Sequence, residues 1–169
     1  MTASKIVRAA TLDDVLAIAL VHVDAWRETY PGMFPQPVLD ALTYEERELQ
    51  WRRALASGTG GLFVAQVDRE VVGFAACGRN RDPDYESTHP GELQAMYLLE
   101  SYHGLGLGRS LFTAVRVWLE SRALTPFMLW VVVENPACAF YERLGGTCIV
   151  TRPTEARGAQ IIESAYAWQ

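Results

Sequence analysis

The sequence predicts a single α/β domain built on a mixed sheet. Three observations predict it. Strand and helix signals alternate along the 169 residues. Two β-rich runs, Leu62 to Val67 and Val71 to Gly78, are separated only by Asp68-Arg69-Glu70, which reads as an antiparallel hairpin. A glycine-rich turn, Gly104-Leu105-Gly106-Leu107-Gly108, joins an apolar strand pattern to a helical pattern that runs to about Arg122.

The elements follow in order. Ile6 to Ala10 is a short strand, and Thr11 with Asp14 three residues on forms a helix start with acids in the first turn. Val15, Ile18, Ala19, His22 and Trp26 continue at helical spacing until Pro31-Gly32 stops the helix. Pro35 and Pro37 predict irregular chain next. A helix over Tyr44 to Ala56 ends at Gly58. After the hairpin, Asn80 to Gly91 is a polar loop, and Glu92 to Leu98 is the strand before the glycine turn. Leu111, Val115, Trp118 and Leu119 give the helix after that turn a core-facing stripe. The apolar run Phe127 to Val133 suits a strand covered on both faces. Asn135-Pro136 starts a helix with Ala137, Phe140, Tyr141 and Leu144 on one face, closed by Gly145-Gly146. Thr147 to Thr151 and Glu163 to Trp168 are the last two strands, with no internal repeat or linker.

Composition excludes several functions. Half the residues are apolar, 21% are charged and the net charge is -5 with no long basic run, which argues against nucleic acid as a partner. No apolar stretch reaches the length of a membrane span, and Met1 to Arg8 lacks the apolar region of a secretion signal. Cys77, Cys138 and Cys148 are odd in number and form no CxxC pair, so they are expected to be buried thiols in a reducing cytoplasm. No His-Glu-x-x-His or paired-cysteine cluster exists, and no metal is expected.

Three glycines at alternate positions bare the backbone where a strand turns into a helix. Several N–H groups can then point into one concavity, and the helix start adds partial positive charge, which suits phosphate. A Walker A loop fails, because Gly108 is followed by Arg109 rather than Lys. A dinucleotide fingerprint starting at Gly104 fails too, because its sixth position is Arg109.

His103-Gly104-Leu105-Gly106-Leu107-Gly108 instead resembles motif A of the GNAT superfamily of acyl-CoA-dependent N-acetyltransferases, Q/R-x-x-G-x-G/A, with His103 in place of the usual Gln or Arg. Asn135 to Gly146 resembles the family's motif B, with Asn135, Ala139, Tyr141 and Gly145 matching and Gly146 replacing the usual Phe. Ala25 to Tyr30, followed by a proline-rich bend, resembles the acceptor region of the first helix. The resemblance implies a mostly antiparallel twisted sheet flanked by helices, with a splayed central parallel strand pair holding acetyl-CoA. It further implies that Met96, Tyr97 and Leu98 meet the pantetheine arm and that His103, Gly104, Leu105, Gly106, Leu107, Gly108, Arg109 and Ser110 meet the pyrophosphate. Homodimers are common in the family.

Acetyl transfer to an amine requires a deprotonated nitrogen, because an alkylammonium of pKa about 10 has no lone pair to attack with. The leaving thiolate also benefits from a proton donor. By the resemblance Tyr141 is that donor and Glu92 the general base, directly or through water. Tyr141 also lies on the apolar face of its helix, where a packed tyrosine needs no chemistry, and Glu92 could equally be a carboxylate at a strand start. Asn135 caps the helix begun by Pro136 and, in the family, often also bonds the coenzyme. Trp26, Tyr30 and Phe34 wall the acceptor pocket or simply fill core. The cysteines lie in no nucleophile setting, so direct attack by a small-molecule or peptide amine is expected, without an acyl-enzyme. The acidic stretch Asp82-Pro83-Asp84-Tyr85-Glu86 draws a cationic amine or is solvated surface. The alternative from another class is a non-catalytic acyl-CoA-binding regulatory module.

Overall fold

In the computed structural model, which describes residues 3–169, the chain runs β1 (Lys5–Ala9), α1 (Val15–Thr29), α2 (Gln36–Asp40), α3 (Tyr44–Ser57), β2 (Gly61–Val67), β3 (Glu70–Arg79) and β4 (Gly91–Leu98), then α4 (Leu107–Ser121), β5 (Phe127–Val132), α5 (Ala137–Arg143), β6 (Thr147–Ala156) and β7 (Ala159–Trp168). One sheet orders them β1-β2-β3-β4-β5-β7-β6. Every neighbouring pair is antiparallel except β4 and β5. The sheet is therefore mixed, with one parallel pair at its centre.

Local chemistry explains the boundaries. A short 3-10 turn, Leu12–Asp14, precedes α1. Asp14 Oδ2 accepts hydrogen bonds from the Thr11 N–H (2.7 Å) and Thr11 Oγ1 (3.1 Å), while Arg8 donates to both carboxylate oxygens at 2.7 Å. The Arg8 guanidinium holds the Asp14 carboxyl well below its ordinary range, at about 2. Thr43 caps α3 by accepting from the Glu46 N–H (3.3 Å), and Gly58 closes that helix at φ +63°. Asp68 and Arg69 both have positive φ, the geometry of a two-residue hairpin turn whose twist matches the strands.

Helices cover both faces. Leu111, Val115 and Leu119 of α4 and Tyr141 of α5 pack with Phe127, Leu129 and Trp168 on one side. Val15, Ile18 and Val21 of α1 and Trp51 of α3 pack with Val64 and Phe74 on the other. In that second core His22 is buried, and its Nδ1 accepts from Trp51 Nε1 at 3.0 Å. Burial, with a smaller contribution from Arg157, pushes the His22 imidazole down to about 4. It is therefore a neutral core group.

Three expectations are corrected. Pro35 and Pro37 do not keep their segment irregular: Pro37 lies in the first turn of α2, where its missing N–H costs nothing. The last two strands are each 10 residues long rather than five or six. Arg157 and Gly158, both at positive φ, allow a tight turn, and the edge position of β6 tolerates Pro153. Of the three cysteines only Cys77 is buried, with its thiol pushed up to about 12 by burial, while Cys138 is half-buried and Cys148 is exposed on edge strand β6.

Candidate active site

The parallel pair is short. β4 and β5 pair at Gly91↔Phe127 and Glu92↔Met128, and at no later position. Beyond Glu92 the strands diverge, so the edge of β4 that faces β5 has no ladder partner. A side chain at Gly91 would collide with the Leu124 carbonyl and Phe127, so glycine is what lets the closed end of this wedge form. A β-bulge sharpens the divergence: Ala76 faces Ala95 and Cys77 faces Leu93, leaving Gln94 as the extra residue. Nothing in the sequence signalled that bulge. Past it, Met96 and Leu98 pack toward the α4 core, and Tyr97 toward the aromatic residues of α1.

The end of β4 leads into the glycine turn. Glu100–Tyr102 forms a 3-10 turn tied to α1, where Glu28 Oε2 accepts from the Glu100 N–H at 2.9 Å. Gly104 and Gly106 then adopt φ +75° and +82°, left-handed values that favour glycine, and a Cβ at either would meet nothing within 4 Å. The first helical bond of α4 runs from the Ser110 N–H to the Gly106 carbonyl (3.1 Å). The amides of Leu107, Gly108 and Arg109 therefore have no intrahelical acceptor, and they form the positive end of a 15-residue helix dipole. His103 folds back so that Nε2 donates to the Leu98 carbonyl at 2.9 Å. The Ser110 hydroxyl donates back to Gly106 O (3.2 Å), so that side chain is used within the helix. A cleft of ≈ 120 Å³ beside the turn is lined by Lys5, Val7, Gly106 and Ser110 among others. Lys5, a cation contributed by β1, is a neighbour of the turn that no sequence signal predicted. A cleft of ≈ 390 Å³ lies elsewhere, beside Arg116, Thr147 and Trp168, and contains none of these groups.

Tyr141 is buried in the wall of the same core, 6.1 Å ring to ring from Trp168. Burial, then the nearby Tyr97 and Cys138, pushes its hydroxyl above the ordinary phenol range, so it holds its proton at neutral pH. Asn135 is buried and caps α5, its Oδ1 accepting from the Ala137 N–H at 2.9 Å. On the opposite face Trp26 lies 4.5 Å from Tyr30 and 5.3 Å from Phe34, and 6.4 Å from Tyr97. Tyr30 and Phe34 are buried, and Trp26 is half-buried beneath the guanidinium of Arg157, 5.4 Å from its ring centre. The fold thus brings the expected aromatic trio together with Tyr97.

Glu92 is buried at the closed end of the wedge and paired with Arg81 at 2.7 Å. Arg81 was not anticipated, because its loop position says nothing of what it touches. Asp82 of the acidic stretch is paired with Arg152 at 2.9 Å, so that carboxylate serves the packing of its loop. Among the described residues, no group of three or more His, Cys, Asp or Glu is placed to hold a metal ion, and no helix is long and apolar enough to cross a membrane.

A strand edge opened along a wedge, followed by free amides at a helix start, defines a protein that can grip an extended anionic ligand between two parallel strands. The chain belongs to the acetyltransferase (GNAT) family, whose model matches residues 23–146. It is 34% identical over 163 residues to YuaI, an uncharacterized N-acetyltransferase of Bacillus subtilis, covering 96% of this chain and 91% of that one. It is 32% identical over 99 residues to the aminoglycoside N(6')-acetyltransferase type 1 of Stenotrophomonas maltophilia, covering 56% of this chain and 59% of that protein. Its fold matches the PaiA N-acetyltransferase from Thermoplasma acidophilum in complex with coenzyme A, with a TM-score of 0.71 at 16% identity over 98% of this chain and 99% of that one. It also matches the ribosomal-protein-alanine N-acetyltransferase from Brucella melitensis, with a TM-score of 0.77 at 22% identity over 96% of this chain and 98% of that one.

Proposed function

We propose that this chain transfers an acetyl group from acetyl-CoA to a primary amine, carried by a small molecule or a peptide, by direct attack of the amine. The observation that carries this reading is the wedge: β4 and β5 pair at two positions only, then part in front of a glycine turn at φ +75° and +82°. A thioester carrier of this kind would supply an activated acyl carbon and an anionic diphosphate.

In this reading the backbone of Met96, Tyr97 and Leu98 takes the pantetheine arm along the unpaired edge of β4. The amides from His103 to Ser110 take the diphosphate, with Lys5 as a cation beside them. Asn135, whose side chain caps α5, also bonds the coenzyme. Tyr141, which is protonated at neutral pH, supplies a proton from its hydroxyl to the leaving sulfur. Glu92 takes the proton of the acceptor amine. Trp26, Tyr30 and Phe34 form the acceptor wall. A homodimer belongs to the same proposal, and light scattering on the eluted peak tests it.

An acceptor screen that follows free thiol release tests the function. Polyamines, amino acids, aminoglycosides and peptides with free N-termini or lysines are offered with acetyl-CoA. Acceptor-dependent thiol release supports catalysis. Tight coenzyme binding with no release for any acceptor would instead support an acyl-CoA-binding regulatory module. Acetylated protein seen by mass spectrometry without acceptor would contradict direct attack.

A further inference from the structure

Glu92 is nearly saturated by one partner. An ionised carboxylate offers about four lone-pair positions on its two oxygens. Arg81 fills three: its backbone N–H and Nε both donate to Oε2, at 2.9 and 3.0 Å, and Nη2 donates to Oε1 at 2.7 Å. One position is left, on Oε1. The neighbours of Glu92 in the sheet, Gly78 on β3 and Met128 on β5, carry no charge. The next loop residue, Asp82, is held by Arg152 of β6 at 2.9 Å, and Arg152 also donates to Glu163 of β7 at 3.0 Å. The Glu92 side chain is 7% exposed and that of Arg81 63%, so the guanidinium is the wet half of the pair and the carboxylate the dry half.

The geometry points to Arg81 as a positioning residue for acetyl transfer: it fixes the Glu92 carboxylate in one orientation and leaves Oε1 as its single proton-accepting atom. This rests on the proposal that Glu92 is the base. The proton leaves the acceptor nitrogen as its N–H bond breaks, the nitrogen keeps the electron pair, and an O–H bond forms at Oε1, directly or through one water. A carboxylate that rotated freely would present either oxygen and would spend much of its time misaligned. Two bonds to Oε2 and one to Oε1 remove that freedom. The fork of donors is a property of arginine: a lysine ammonium can replace its charge but not its planar geometry.

A double-mutant cycle tests this in the intact chain, with turnover and acetyl-CoA affinity measured separately. Glu92→Gln is expected to lower kcat about 10²-fold, the scale of a lost general base. Arg81→Gln is expected to lower kcat about tenfold or more through misorientation, with acetyl-CoA affinity by calorimetry unchanged as the check on folding. Arg81→Lys should recover part of that loss. The combined variant should be no slower than Glu92→Gln alone, because an orientation effect disappears with the group it orients. Losses that multiply in the combined variant, or Arg81→Gln with unchanged kcat, would overturn the role of Arg81 while leaving the base in place. Glu92→Gln with unchanged kcat would overturn the base itself, and the role of Arg81 with it.

Discussion

The two sides of β4 are built from different materials. The proposed coenzyme side is mainly main chain, drawn from one continuous stretch: the unpaired edge of β4, the left-handed Gly104 and Gly106, and the open amides at the start of α4. The proposed acceptor side is mainly side chain, drawn from separated segments: Trp26, Tyr30 and Phe34 near α1 and α2, Tyr97 on β4, Val132 on β5, and Ala159 at the β6–β7 turn. A backbone cradle needs only a few glycines and a helix start, and it binds what every carrier of its class has in common. A side-chain wall depends on the whole tertiary fold, and it determines which amine fits. The first kind of site is general and locally encoded. The second is particular and assembled at a distance.

If the two sides are separable, changes to proton handling should leave coenzyme affinity alone. The largest expected effect is from Tyr141→Phe, which should lower kcat about 10²-fold while acetyl-CoA affinity stays within about twofold. Steady-state kinetics with calorimetry checks it, and a parallel loss of affinity would break the separation.

A comparable effect is expected on stability, and it belongs to the α1–α3 core that adjoins Tyr97. His22 stacks on Tyr97 at 5.2 Å and is held down to about 4 in the folded chain, below its ordinary 6.5. Between those values the unfolded chain binds the proton and the folded chain does not, so stability is lost as pH falls from about 6.5 toward 4. The loss should reach roughly 3 kcal/mol, read as a fall in the denaturant midpoint between pH 7 and pH 4. His22→Gln should flatten that slope, and an unchanged slope would remove His22 as its source. The smallest effect is from Trp26→Ala, expected to raise the acceptor KM several-fold by removing an aromatic contact worth about 1 kcal/mol, with acetyl-CoA affinity unchanged. A change in coenzyme affinity there would show that the wall and the cradle are one site.

The same contrast explains what could be read before the fold was known. His103 to Gly108 and Asn135 to Gly146 carry turn, cap and helix-start chemistry in their own residue types, so the glycine turn and α5 were legible. The order of elements was legible too, because hydrophobic period and glycine or proline punctuation are local. The bulge at Gln94 was not: it consists in how β4 registers against β3. The length of the β6–β7 hairpin was hidden because edge strand β6 faces solvent and carries polar residues and Pro153 along it. Arg81 is the plainest case. Glu92 could be marked as a candidate base only by the family resemblance, yet nothing in Asn80 to Gly91 signalled that Arg81 would occupy three of its hydrogen-bonding positions.

The amides between residues 103 and 110 are proposed to hold the diphosphate of a thioester carrier. Amide chemical shifts recorded during titration with coenzyme A, for the parent chain and for Gly106→Val, test it most directly. Saturable shifts largest at the end of β4 and at residues 103–110 are expected, with affinity about tenfold weaker in the variant, because valine resists a left-handed φ. Saturable binding that leaves those amides unmoved and instead perturbs the cleft beside Arg116 and Trp168, or the absence of binding by the parent chain, would contradict it.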